Sequence, residues 1–531
     1  MKASKWISAL LAGSMTICTL IGCATVPSAG STVVSNETAS AAIQEQGTDE
    51  QVQQAEDVAV SEAEDITEIR VMLWDMRGNG DNATAVIDAM NEITEKTIGV
   101  HANIEFVTSA DYATQFGLLM AGGEALDVAT FTPGGPASFI SMISSGQLMD
   151  ISEYLEEEGK DIKEMFGDYI MACSSGGKIY GVPPYRNVGA SIYLLMRKDI
   201  LEDVGMVEQA EALHSWSGVE EIFNAVKEKT DISCIGDTKQ VYWKSGKLFV
   251  DDEWANTITY DSLGDPYDMI YTHPDGTITL MPESKEFAEQ AARVRDWYNK
   301  GYVYKDSMTT TDHPDTMMKA GVIFSDVQNA ELGVEITKKE ATGYDLVCAE
   351  ISPGMLTSIM WNKFGLGVPV TSAEPSAAVK WINELYTNPE LENLVVWGVE
   401  GRDYVVKDGE ATYPDGLDSA SVPFHNVAFA YGNAFNALPW EGNGKDFNEV
   451  SYNYLRSLPV SEYLGFSLNQ SELTNIVSAI YNTEEKYYAD IKCGNYTDEL
   501  LAEFISQLKS VGAEEYIQAA QQQLDEWKAN N

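Results

Sequence analysis

The chain has 531 residues and a formal net charge of −48, from 82 acidic against 34 basic side chains. That length allows about three domains or two large lobes, and 44% hydrophobic with 10% aromatic residues is enough for a real core, which excludes a mainly disordered protein. The acid excess argues against nucleic acid as a partner, because phosphate binding needs a basic face, and against charge-driven docking on anionic lipid. The five His, at 101, 214, 273, 313 and 425, form no close pair, so no His-based metal site is expected.

In chain order, Lys2 and Lys5 precede a charge-free apolar run over residues 6–21, the pattern of a secretory signal peptide. The run ends in Leu20-Ile21-Gly22-Cys23, which resembles the bacterial lipobox. Residues 1–22 then form a lipoprotein signal peptide and Cys23 is lipidated. No later stretch is long and apolar enough to span a bilayer, so this lipid is the only membrane attachment expected. Residues 24–65 hold no Lys, no Arg and no aromatic residue, only acids among Ser, Thr, Ala, Gln and Val. Such a segment buries too little apolar surface to offset its ordering entropy, so 23–65 reads as a lipidated Cys and a disordered acidic tether. As a coil it spans about 35 Å. Cys173, Cys234, Cys348 and Cys493 contain no CxxC pair, so no zinc knuckle or redox motif is supported, and they read as buried thiols or an unassigned disulfide.

The folded body begins near Glu68. Glu68–Trp74 reads as a strand, with Ile69, Val71 and Leu73 on one face. A helix follows through Val86, Met90 and Ile93, and Gly99 stops it. Residues 100–107 read as a strand. Ser109 reads as the N-cap of a helix with stripe Tyr112, Phe116, Leu119 and Met120, and 127–131 is a third strand. Alternation of strand and helix predicts an α/β domain with a mainly parallel sheet, in which ligands meet the loops at the carboxyl ends of strands. Those ends are Trp74–Arg77 and Phe131–Gly135.

Several short runs then point to one family. They are Gly146-Gln147-Leu148-Met149-Asp150, Gly176-Gly177-Lys178-Ile179-Tyr180-Gly181-Val182-Pro183, Tyr193–Arg197 with Lys198-Asp199, and Ser215-Trp216-Ser217. Their order over residues 68–230, behind a lipobox, resembles extracellular solute-binding protein family 1, the substrate receptors of ABC importers. Trp397-Gly398-Val399-Glu400-Gly401-Arg402-Asp403-Tyr404 is similar to a stretch of LipO-type lipoproteins of Gram-positive bacteria, with Arg402-Asp403 in place of a Lys-His pair. Three apolar stripes near the C-terminus, through Leu473–Ile480, Leu501–Leu508 and Tyr516–Trp527, fit the same branch. Residues 232–285 match least.

The resemblance implies a two-lobed, periplasmic-binding-protein-like (type II) α/β fold, with a hinge and an interlobe ligand cleft. Carried onto this chain, the first lobe is 66–184 plus 353–420, and the second is 185–352 plus 421–531 with the C-terminal helices. Crossovers fall near Pro183-Pro184, Pro353-Gly354 and Pro423. The implied function is capture of an extracellular solute and its delivery to ABC permease transmembrane subunits. The protein would be a monomer without cofactor or catalysis, held on the extracellular face of the cell membrane of a Gram-positive bacterium. The implied small-molecule ligand is an oligosaccharide. A peptide receptor, a non-transport solute sensor and a surface adhesin are the alternatives.

Sugar recognition uses aromatic faces beside planar polar side chains. On that criterion the candidate ligand-binding residues are Trp74, Asp75 and Arg77 after the first strand, Thr132, Gly134 and Gly135 after the third, and Tyr185, Arg186 and Asn187 at the first crossover. Asp326 follows a second-lobe strand, Trp361 and Asn362 precede a Gly-rich strand, and Tyr431, Phe435 and Trp440 lie in an aromatic stretch. No HExxH, GxSxG, Walker A or dinucleotide fingerprint occurs, and Asp415-Gly416-Leu417-Asp418 is too short for an EF-hand.

Overall fold

The computed structural model describes residues 66–236, 260–265 and 269–530. The lipobox, Cys23, the expected tether, Trp243 and Trp254 lie outside the described residues. Among those described, two four-stranded sheets are built from β1 (Thr67–Asp75), β2 (Val100–Thr108), β3 (Val128–Phe131), β4 (Ser191–Arg197), β5 (Ser233–Ile235), β6 (Ile323–Ala330), β7 (Leu346–Ser352) and β8 (Gly365–Gly367).

The first sheet has the order β8-β3-β1-β2. β1 runs parallel to β2, with Thr67 opposite Val100 and Asp75 opposite Thr108, and parallel to β3, while β8 is antiparallel to β3. Five successive residues, Val71–Asp75, are buried, so this part of β1 is covered on both faces, as parallel strands packed between helices are. Helix Thr84–Ile98 buries Val86, Met90 and Thr94 at helical spacing against the sheet. The next helix, Tyr112–Gly122, starts after the expected cap. Asp111 stands at its N-cap, and Ser109 instead donates its amide to the Asp75 carbonyl, extending the edge of the sheet.

The second sheet has the order β7-β4-β6-β5 and a different character. β4 is antiparallel to both β6 and β7, and only β5 joins in parallel. The hairpin Ile270–Thr272 with Ile278–Leu280 and the C-terminal helices Thr474–Cys493, Asp498–Ser510 and Ala513–Asn530 pack on this core. Cys173, Cys234 and Cys493 are buried, and burial pushes the Cys234 thiol up to about 12.

Two hydrophobic cores account for most of the buried side chains. One joins Ile69–Val188 to Leu356–Leu458, and the other joins Ile192–Ile351 to Tyr463–Leu524. The chain therefore passes between cores near 189–191, 353–355 and 459–462. The middle passage falls between Ile351 and Leu356. The first lies a few residues beyond Pro183-Pro184, because Tyr185 and Val188 still pack in the first core. The last lies well beyond Pro423. Phe424, Tyr431 and Leu455 are buried in the first core, which places 424–458 there rather than with the second lobe. Pro423 is half-buried in a bend.

The three passages lie against one another. Leu356 donates to the Pro459 carbonyl and Ser461 to the Leu356 carbonyl, both through backbone amides. A Cβ at Gly354 would stand 2.7 Å from the Gly189 carbonyl oxygen, so this close approach requires glycine.

Candidate functional site

A cavity of about 780 Å³ opens between the two cores. Its first wall is the loop after β3, Thr132–Gly135, with helix Phe139–Ser144. Its floor is the hinge-side segment Met355–Lys363. Its opposite wall is made by Tyr260–Asp265 and Leu468–Ser471. Gly134 and Gly135 have φ of 70° and 69°, a left-handed pair that favours glycine, and no atom lies within 4 Å of where their Cβ atoms would stand. The lining alternates hydroxyl and amide side chains (Ser138, Ser262, Asn469) with apolar ones (Phe139, Ile359, Met360). That mixture suits a ligand with both hydroxyl groups and C–H faces.

The segment at the floor leaves polar atoms open. Thr357 and Asn362 are buried, yet Thr357 Oγ1 and Asn362 Oδ1 have no hydrogen-bond partner among the described residues. The Asn362 amide nitrogen is held by the Ala172 carbonyl at 2.9 Å, which fixes the side chain. Lys363 follows, exposed to the cavity and without a hydrogen bond or ion pair among the described residues. Desolvation in the cleft, and then the Arg186 guanidinium, hold its ammonium below the ordinary lysine range.

Of the sequence candidates, Thr132, Gly134, Gly135 and Asn362 come together on this cavity. The others are distributed by the fold. Asp75 is 2% exposed, and its carboxylate accepts from the amides of Arg77, Gly78 and Gly80 at 2.8 Å each, so it organises its own loop. Trp361 is 0% exposed and stacks on Tyr169 at 5.0 Å inside the first core. Tyr431 is equally buried, and its hydroxyl bonds the Asn426 amide and the Trp74 carbonyl. Asp326 is buried in the middle of β6, opposite Leu195, rather than in a loop after the strand, because the strand starts only at Ile323. Tyr185 packs edge-on against Phe166 at 4.8 Å and Phe435 at 5.5 Å. Asn187 accepts from the Gly189 amide at 3.1 Å and braces the first passage.

Trp74 and Arg186 belong to a second wall that sequence reasoning saw only in part. Trp74 tilts on Phe364 at 5.2 Å and on Phe429 at 6.3 Å, and the Arg186 guanidinium stands 6.0 Å from the Phe429 ring. Arg186 is ion-paired with Glu331, which follows β6 in the second lobe. Phe364, Phe429 and Lys363 gave no separate signal, because an isolated Phe or Lys in a sequence has no spacing to mark it. A further cluster gathers Trp440, His425, Tyr413 and Trp397. Trp440 is half-buried and stacks on His425 at 5.5 Å, and the Tyr413 hydroxyl meets His425 Nδ1 at 2.6 Å. Burial, and then the charge of exposed Arg77, depress the His425 imidazole to about 3, so it is neutral. No cluster of three or more His, Cys, Asp or Glu suited to a metal ion occurs among the described residues.

A family model for bacterial extracellular solute-binding proteins matches residues 78–391, and a domain of unknown function, DUF3502, matches residues 462–529, which include the three C-terminal helices. A carbohydrate ABC transporter substrate-binding protein of Streptococcus pneumoniae is 24% identical over 465 residues, covering 87% of this chain and 91% of the relative. Among solved structures, the N-glycan transport solute-binding protein of Streptococcus pneumoniae superposes with a TM-score of 0.72 at 22% identity, covering 87% of this chain and 98% of that one. An extracellular solute-binding protein of Bifidobacterium longum subsp. infantis superposes with a TM-score of 0.62 at 16% identity, covering 86% and 98%. At these identities the structural likeness speaks for a shared bilobed α/β fold.

Proposed function

Because the chain belongs to the bacterial extracellular solute-binding proteins, we propose that it captures an oligosaccharide in the cavity between its two cores and delivers it to the membrane subunits of an ABC importer. Proteins of this family bind solutes and are not enzymes, and this chain is extracellular. The observation that carries the reading is the floor segment Thr357–Lys363, where Thr357 and Asn362 line the cavity and hold a buried hydroxyl and a buried amide oxygen without hydrogen-bond partners among the described residues. An unpartnered buried polar atom costs about 1–3 kcal/mol. A ligand hydroxyl that meets it in the closed form removes that cost. Closure is favoured only to the extent that such contacts are better in the closed state than in the open one. The names of the similar proteins from Streptococcus pneumoniae, one carbohydrate and one N-glycan receptor, support the same ligand class.

Cys23 carries the lipid that holds the protein on the outer face of the cell membrane, as a monomer. The LipO-like branch is supported by the run Trp397–Tyr404 and by the three C-terminal helices. Labelling with a palmitate analogue tests the anchor, which Cys23→Ala should abolish.

The ligand class is tested by thermal melting of the mature chain with neutral oligosaccharides and with short peptides. At a ligand concentration of 100 Kd, linkage gives about 2.7 kcal/mol of stabilisation. A rise with a glycan series is the expected outcome. A rise with peptides alone overturns the carbohydrate reading.

A further inference from the structure

The charged side chains on the cavity wall, among the described residues, are Asp265 and Lys363. They differ in what surrounds them. Asp265 is buried, and its carboxylate accepts from the backbone amides of Met269 and Ile270 and from the Tyr516 hydroxyl at 2.9 Å. Its charge is matched by donors of the second core. Lys363 has neither hydrogen bond nor ion pair among the described residues. The neighbouring cation, Arg186, is already matched by Glu331, and Glu331 raises the Lys363 affinity for its proton less than desolvation and Arg186 lower it.

The side chains of Lys96, Lys178, Lys300, Lys338 and Lys509 each meet a carboxylate. Lys363 instead lines the cavity with no carboxylate paired to it among the described residues, and the Arg186 guanidinium acts on it as a second positive charge. Two open acceptors, Asn362 Oδ1 and Thr357 Oγ1, lie on the same short segment and cannot neutralise it. Among the described residues, the one acidic side chain on the cavity wall, Asp265, accepts from donors of the second core, and no carboxylate is ion-paired with Lys363.

We infer that the ligand supplies it: the oligosaccharide carries an anionic substituent, a carboxylate or a sulfate, which pairs with the Lys363 ammonium, while neighbouring sugar hydroxyls meet Thr357 and Asn362. This rests on the oligosaccharide reading above and narrows it. The net charge of −48 does not oppose it. Exposed charges are screened beyond about 8 Å at physiological ionic strength, whereas an ion pair in a recess is screened far less and a charge-assisted hydrogen bond is about twice as strong as a neutral one. The acid excess slows the approach of such a ligand, and the recess holds it once it arrives.

Calorimetry with matched pairs tests this. The probes are trigalacturonate and trimannuronate against their carboxyl-reduced forms, and a sulfated against an unsulfated N-acetyllactosamine. The mature wild type should bind at least one anionic member about tenfold or more tighter than its neutral counterpart. The uronate and sulfate arms tell which substituent is read. Lys363→Gln should bring that ratio close to one, and Lys363→Arg should keep most of it. Both variants should melt with the wild type, since the side chain is exposed and holds nothing in the fold. Wild type that prefers the neutral members overturns the inference and leaves the oligosaccharide reading standing, as does a ratio that survives in Lys363→Gln. Binding of no glycan, charged or neutral, overturns the oligosaccharide reading and this inference with it.

Discussion

Asp75–Gly80 and Thr357–Lys363 are both short polar segments of the first core, and they use their polar atoms in opposite ways. In the loop after β1, one buried carboxylate gathers three backbone amides at 2.8 Å and leaves little to offer a ligand. In the floor segment, three residues that line the cavity carry a hydroxyl, an amide oxygen and an ammonium without protein partners among the described residues. Residue type alone ranks the first segment higher, since Trp74-Asp75-Met76-Arg77 looks like a sugar contact. Hydrogen-bond satisfaction reverses the ranking. A polar group matched by the fold is a structural part, and a polar group left open on a cavity wall is available for binding.

The largest effect that would test this contrast is on stability. Asp75→Ala should strand three amides and cost about 3 kcal/mol, read as a lower urea midpoint. Glycan affinity, measured where the variant is folded, should change less than threefold. A large loss of affinity with unchanged stability would reverse the roles assigned here.

A third kind of polar group sharpens the comparison. Glu392 is 0% exposed in the first core, away from the cavity, with the Asn433 amide as its nearby donor, and burial raises its carboxyl to about 8. Between its ordinary value near 4.5 and about 8 the folded state holds a proton that the unfolded state has lost. Stability from this group is therefore complete at low pH and declines as pH rises through that window. Glu392→Gln should raise the melting temperature by several degrees at pH 8.5 and by almost nothing at pH 4.5. Equal shifts at both pH values would refute the assignment.

Smaller effects belong to the floor segment. Thr357→Val should leave the unfolding midpoint unchanged or slightly raised, because it removes an unmatched hydroxyl, while glycan affinity falls about tenfold, or about 1.4 kcal/mol. Smallest of all, Lys363→Gln should alter stability by less than about 0.5 kcal/mol, as exposed substitutions without partners do. A destabilisation of several kcal/mol in either variant would show that these side chains serve the fold.

The sequence by itself determined the elements whose signal is local. Ile69, Val71 and Leu73 alternate on β1, Val86 and Met90 recur at helical spacing, and the stripes at Leu501–Leu508 and Tyr516–Trp527 lie on two of the C-terminal helices. The run of short family motifs is equally local and carried the two-lobed fold with it. The third passage between cores was misplaced at Pro423, since a turn signal does not say against which core the following residues pack. Tertiary structure alone decided which polar candidates are open. Asn362 is held by a carbonyl 190 positions earlier, and Ser461 by Asp261 at a separation of 200. Trp361 and Tyr431 disappear into packing made by segments remote in sequence. Periodicity is set by neighbours two to four residues away, whereas burial and hydrogen-bond satisfaction are set by whatever the folded chain brings alongside. For that reason the family was legible from residue order, and the lysine that stands without an ion pair on the cavity wall, among the described residues, was not.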